Sequence, residues 1–164
     1  MLNLKAINTN QFLTIITLFI LASQFVLIIS NFELLPDKIP MHTTAGGEVD
    51  QWGPKWTIWL MPGINVLILT AIFYFKSRPE ILNYPVKVTE ENKTALYSKM
   101  QRLLLVIGIA VSIVILLVTL QTISHLHTQA NTYTQGIILM IALLSLSPIL
   151  AILYINATTN ARAN

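Results

Sequence analysis

Apolar and polar positions fall in long blocks along this chain, not in residue-by-residue alternation. Apolar runs occupy about residues 11–31, 56–76, 103–120 and 136–155. Each is close to the roughly 20 residues that carry a helix across a hydrocarbon core of about 30 Å. The third run is rich in Val and Ile but far too long for one strand. The first exceeds the roughly 7–15 apolar residues of a signal peptide, and no clear small-x-small cleavage site follows it. The pattern predicts an all-α integral membrane protein, a four-transmembrane-helix bundle forming one membrane domain over residues 1–164. Between the first two spans lies an ordered loop, residues 32–55.

Details within the blocks refine the elements. Trp52, Trp56 and Trp59 cluster where the second span begins, and indoles favour the membrane–water boundary. Pro62-Gly63 predicts a kink in that span, because proline removes a backbone bond. Thr89, Glu90 and Glu91 read as the cap and acidic first turn of a helix. Apolar residues recur at three- and four-residue spacing after them, with Lys93, Lys99 and Arg102 between. That predicts an amphipathic surface helix over about residues 90–102, running into the third span. Gly108 and Ser112 are four apart, which permits close helix approach. Ser145, Ser147 and Pro148 predict a bend in the fourth span.

Only 10% of residues are charged and 54% are hydrophobic, against about a quarter charged in soluble domains. The net charge of +3 therefore reads as membrane orientation, not nucleic-acid binding. With the N-terminus inside, Lys5, Lys76, Arg78, Lys87, Lys93, Lys99, Arg102 and Arg162 are inside, and only Lys38 and Lys55 are outside. The positive-inside rule then makes both termini cytoplasmic and the 32–55 loop extracellular. The absence of cysteine excludes disulfides, thiol nucleophiles and Cys-bound metals.

The candidate chemistry is concentrated in that loop. Pro36 and Pro40 bias their neighbours towards extended backbone. Gly46-Gly47 permits a turn that folds His42 back towards Asp50. Asp50 is expected to accept from His42, Lys55 or nearby N–H groups. Asp37, Glu48, Asp50 and His42 are possible metal ligands by type, with His125 and His127 from the second outer loop, but no fixed ligand spacing is present. A His–Asp base has no motivated nucleophile beside it. Within the spans, Gln24 and Asn65 are the polar exceptions, either helix-to-helix glue or part of a substrate path.

The residues Leu35-Pro36-x-x-Ile39-Pro40-x-His42, then Gly47, Asp50, Trp52, Gly53 and Lys55 before a proline-bearing apolar span, resemble domain-of-unknown-function family 1648 (DUF1648). That family forms the N-terminal part of SdpI-like bacterial immunity membrane proteins. Pro36, Pro40, His42, Gly47, Asp50 and Lys55 match its motif; Thr43-Thr44 stand where the family usually has Phe-Asn. The resemblance implies a bacterial multi-pass plasma-membrane protein and, in SdpI-like members, immunity to a secreted antimicrobial peptide.

The expected function is binding or sensing at the cell envelope. The site residues are Pro36, Asp37, Pro40, His42, Gly47, Asp50, Trp52 and Lys55, with Gln24 and Asn65 inside the membrane. No catalysis, cofactor, metal or nucleic acid is expected. The expected partners are membrane lipids and a secreted peptide or another membrane protein. The alternatives are a small transporter or transporter subunit using the Gln24–Asn65 region and a metal-dependent envelope enzyme using His42.

Overall fold

The computed structural model describes residues 8–44, 46, 48–128, 137–144, 146 and 153. Helix α1 spans Thr9–Asn31. Asn8 and Gln11 form a reciprocal capping box at its start, at 2.9 and 3.0 Å, so two otherwise unpaired helix-end donors are satisfied. A 3-10 turn, Phe32–Leu34, follows. Strands β1, Lys38–Thr43, and β2, Val49–Pro54, then form an antiparallel hairpin. A 3-10 turn at Lys55–Trp59 leads into α2, Leu60–Ser77. After a short turn at Pro79–Ile81, α3 runs from Lys93 to Thr128.

Among the described residues three helical stretches are long and apolar enough to cross a membrane: Thr9–Leu34, Lys55–Ser77 and Lys93–Ser124. Their outward faces are apolar, with Phe19 and Leu67 both 71% exposed. In water such faces would drive association; in lipid they meet a solvent of their own polarity. α3 packs against both α1 and α2 and forms the centre of the bundle. The expected fourth span lies mostly outside the described residues, as do its predicted bend at Ser145, Ser147 and Pro148 and the side chains of His125 and His127; residues 137–144 are helical.

Three expectations are corrected. The fold is not purely helical, because the 32–55 segment contains the hairpin. Pro36, Pro40 and the Gly53-Pro54 pair forbid a helix there, and the extended backbone they impose finds a partner strand. Second, the helix expected over about 90–102 and running into the third span begins at Lys93 and continues through that span as α3. No Gly or Pro interrupts residues 93–107, so the hydrogen-bond ladder runs unbroken into the third span. At about 1.5 Å per residue, the 36 residues of α3 extend roughly 54 Å, well beyond a hydrocarbon core of about 30 Å. Glu90 and Glu91 lie in the turn before this helix. The turn is held by the Thr89 backbone, whose carbonyl accepts from the Asn92 and Lys93 N–H groups at 3.2 and 2.9 Å. The Asn92 carboxamide in turn accepts from the Thr89 N–H at 2.8 Å. Third, Pro62, where a kink is expected, sits in the first turn of α2, where a missing N–H is tolerated.

The hairpin is seated on the bundle. Leu35 and Ile39 from its base join Ile28 of α1, Ile58 before α2 and Ile123 of α3 in one buried apolar cluster. The 3-10 turn after the hairpin is tied back to it, since the Lys55 N–H donates to the Asp37 carbonyl at 2.9 Å.

Candidate functional site

Two polar clusters stand out, one on the hairpin and one inside the bundle. On the hairpin, Lys38 pairs with Pro54, Ile39 with Gly53 and Pro40 with Trp52; the register then slips on both sides of His42, which pairs with Gln51. Such slips bend a strand and re-aim side chains. The first leaves Met41 folded over Gly53, where an added Cβ would stand 2.5 Å from Met41 Cγ. A side chain at position 53 would displace Met41, which accounts for glycine there.

His42 Nδ1 lies 2.6 Å from Asp50 Oδ1. An ionised carboxylate only accepts, so Nδ1 carries the proton and donates. In the neutral imidazole Nε2 is then an acceptor. The pair is solvated: the side chains are 63% and 48% exposed. Lys55 does not join it. Its ammonium lies 5.2 Å from the centre of the Phe32 ring, a cation–π contact that braces the end of the hairpin against the end of α1. The hub expected at Asp50 is therefore a two-residue pair.

The remaining motif residues take varied places. Pro40 is buried, Pro36 and Asp37 are exposed, and Trp52 is 52% exposed. Gly47 lies outside the described residues. At the hairpin tip the Thr44 N–H donates to the Glu48 carbonyl at 2.8 Å, and Thr44 Oγ1 accepts from the Glu48 N–H at 3.2 Å. Among the described residues no three His, Asp or Glu side chains converge as ligands for an ion.

The interior cluster is a continuous chain of hydrogen bonds through all three helices. Ser112 Oγ donates to Asn65 Oδ1, Asn65 Nδ2 to Gln24 Oε1, and Gln24 Nε2 to Thr119 Oγ1, each at 3.0 Å. Thr119 then donates to the Ile115 carbonyl at 2.8 Å. All four side chains are wholly buried. Both amides thus use their oxygen and nitrogen on neighbours, which is the arrangement of inter-helix glue. Gly108 stands one turn before Ser112, and a Cβ there would lie 3.3 Å from Leu69 Cδ2 and Ile72 Cδ1. The small residue brings α3 close enough to α2 for Ser112 to reach Asn65. Sequence reasoning missed Ser112 and Thr119 as partners of the amides. Their seven-residue spacing, about two helical turns, places them on one face of α3 and was the available signal.

At the other end of the bundle, Asn10 Nδ2 donates to Gln101 Oε1, Gln101 Nε2 to the Lys76 carbonyl, and Lys76 Nζ to Thr14 Oγ1. Nearby, Tyr84 stacks on Tyr97 with ring centres 5.7 Å apart and donates to the Pro79 carbonyl at 2.8 Å. Burial, reinforced by Tyr97 and Glu80, pushes the Tyr84 phenol up to about 12.

Residues 18–66, from within α1 through the hairpin to the first turns of α2, match the family model described as Domain of unknown function (DUF1648). The motif residues that carried the resemblance fall inside that stretch. No curated protein and no solved structure matches the chain.

Proposed function

We propose that this is a plasma-membrane binding or sensing protein of bacterial, SdpI-like type, and that the hairpin is its recognition surface for a secreted membrane-active peptide, against which it gives immunity. The observation that carries the reading is the build of the hairpin. Its base is locked into the bundle by Leu35 and Ile39, 4% and 1% exposed, while His42, Asp50 and Trp52 on the hairpin and Trp56 just after it remain exposed. A rigid base with an exposed aromatic and polar face suits recognition, where immobilising loose side chains is a main cost of binding. Tryptophan suits a partner that approaches along the membrane boundary. The bias of basic residues supports placing this face outside the cell. Transport through the Gln24–Asn65 region is not favoured, since those amides are fully engaged with each other and with α3.

The test has two arms. With an impermeant thiol reagent on intact cells, Thr44→Cys is expected to react and Thr94→Cys is not. Cells carrying the chain are then challenged with a panel of membrane-permeabilising peptides. Protection against at least one, lost in Trp52→Ala and His42→Ala at equal membrane levels, is the expected outcome. Reversed labelling, or protection indifferent to both substitutions, refutes the hairpin as the recognition surface.

A further inference from the structure

Behind the hairpin lies a half-open cavity of about 400 Å³. Ile39, Ile58, Met61, Val118, Ile137 and Ile138 supply its apolar wall, and His42, Thr44, Gln121 and Thr122 its polar groups. Four separate parts of the chain enclose it: β1, the approach to α2, the far end of α3 and the helical residues 137–141. The volume is in the lower part of the roughly 300–1,000 Å³ range of small-molecule sites, too small for a folded peptide. The clustered tryptophans place it near the boundary where lipid head groups meet hydrocarbon.

The lining also restricts charge. Among the described residues no Asp, Glu, Lys or Arg lines the cavity, so a charged head group entering it would lose water without gaining a counter-ion from them. An anionic head group would in addition approach Asp50, which is hydrogen-bonded to His42 at 2.6 Å. The polar groups favour a hydroxyl donor. His42 Nε2 accepts when the ring is neutral, and Thr122 has its proton committed to the Val118 carbonyl at 3.0 Å, leaving its oxygen lone pairs to accept.

We propose that this cavity binds an uncharged single-chain amphiphile, its hydrocarbon chain lying among Ile39, Ile58, Met61 and Val118 and its hydroxyl head group meeting His42. The site shares His42 with the proposed peptide-recognition face, but its apolar wall is separate, so probe binding is read with no peptide present and Trp52→Ala tests peptide recognition alone.

The experiment uses the full chain in phosphatidylcholine nanodiscs with radiolabelled monomyristoylglycerol as probe. Saturable binding is expected, with ionised myristate competing poorly. Met61→Trp and Ile138→Trp, which fill the cavity, should each weaken binding about tenfold or more. Leu67→Trp, on a lipid-facing position 71% exposed and away from the cavity, should leave it unchanged. Asp50→Asn should narrow the preference over myristate. Ile138 is 46% exposed, so its variant keeps the test decisive if Met61→Trp fails to fold. Absence of saturable binding, equal binding of myristate, or wild-type binding in a folded cavity-filling variant overturns the proposal. Saturable probe binding by a chain that protects against no peptide, or whose protection is indifferent to Trp52→Ala, overturns only the hairpin reading.

Discussion

The amide chain inside the bundle and the His42–Asp50 pair on the hairpin are both short polar contacts, yet their surroundings are opposite. The first is closed off from solvent, with Gln24, Asn65, Ser112 and Thr119 each 0% exposed. The second is about half open to water. A buried polar group left without a partner costs roughly 1–3 kcal/mol, whereas an exposed ion pair contributes about 0–1 kcal/mol. The shorter contact, 2.6 Å on the hairpin against 3.0 Å in the interior, is therefore not the weightier one. The interior chain specifies how three helices pack, and the hairpin pair sets which groups face a partner and which tautomer His42 presents.

The comparison breaks most visibly at Asn65, which bonds to both α1 and α3. Asn65→Leu should lower stability by about 1–3 kcal/mol, since Gln24 Oε1 loses its donor and Ser112 its acceptor. Thr119→Val, at the end of the chain of bonds, should cost less. Thermal unfolding in detergent ranks them, and a Thr119 effect equal to that of Asn65 contradicts the linked arrangement.

Gly108 comes next. Gly108→Leu must push Ile72 and Leu69 away from a 3.3 Å contact, and overpacking of this kind costs about 1–3 kcal/mol. The α2–α3 separation grows with it, so spin labels at exposed positions on the two helices should report a larger distance. An unchanged distance with unchanged stability would show that Gly108 does not set the approach.

The smallest effect is at Tyr84 and is absent at neutral pH. Its folded-state pKa of about 12 lies above the ordinary 10.0, so the folded chain holds this proton more tightly than the unfolded one. The stability tied to it is fully present below pH 10 and is lost as pH rises towards about 12. Following the tyrosinate absorbance, one tyrosine should titrate late in the wild type, and that late step should vanish in Tyr84→Phe.

The spans were legible because a block of apolar residues long enough to cross a bilayer has few other readings. The amides were legible as exceptions within those blocks, but not their partners. Ser112 stood out only for its small size, and a threonine in an apolar run is unremarkable until α3 is seen to face Gln24. The hairpin was hidden for a different reason. Prolines and glycines announce extended, turning backbone equally in a loop and in a short strand, and the irregular register erases the alternation that marks strands. Lys93, Lys99 and Arg102 marked a surface stretch leading into the third span, and the continuity of that helix follows from what is missing from 93–107, namely any residue that breaks the ladder.

The contrast between interior and hairpin is tested most directly by melting Asn65→Leu, Asp50→Asn and the control Glu33→Gln side by side in detergent, at low and high salt. Raising salt from about 0.1 to 1 M shortens the screening length from roughly 10 to 3 Å, which touches only solvated charges. Asn65→Leu should be the most damaging at both salts and by the same amount. Asp50→Asn should cost no more than about 1 kcal/mol at low salt and approach Glu33→Gln at high salt. An Asp50→Asn loss as large as that of Asn65→Leu, or one that salt leaves untouched, would contradict the account.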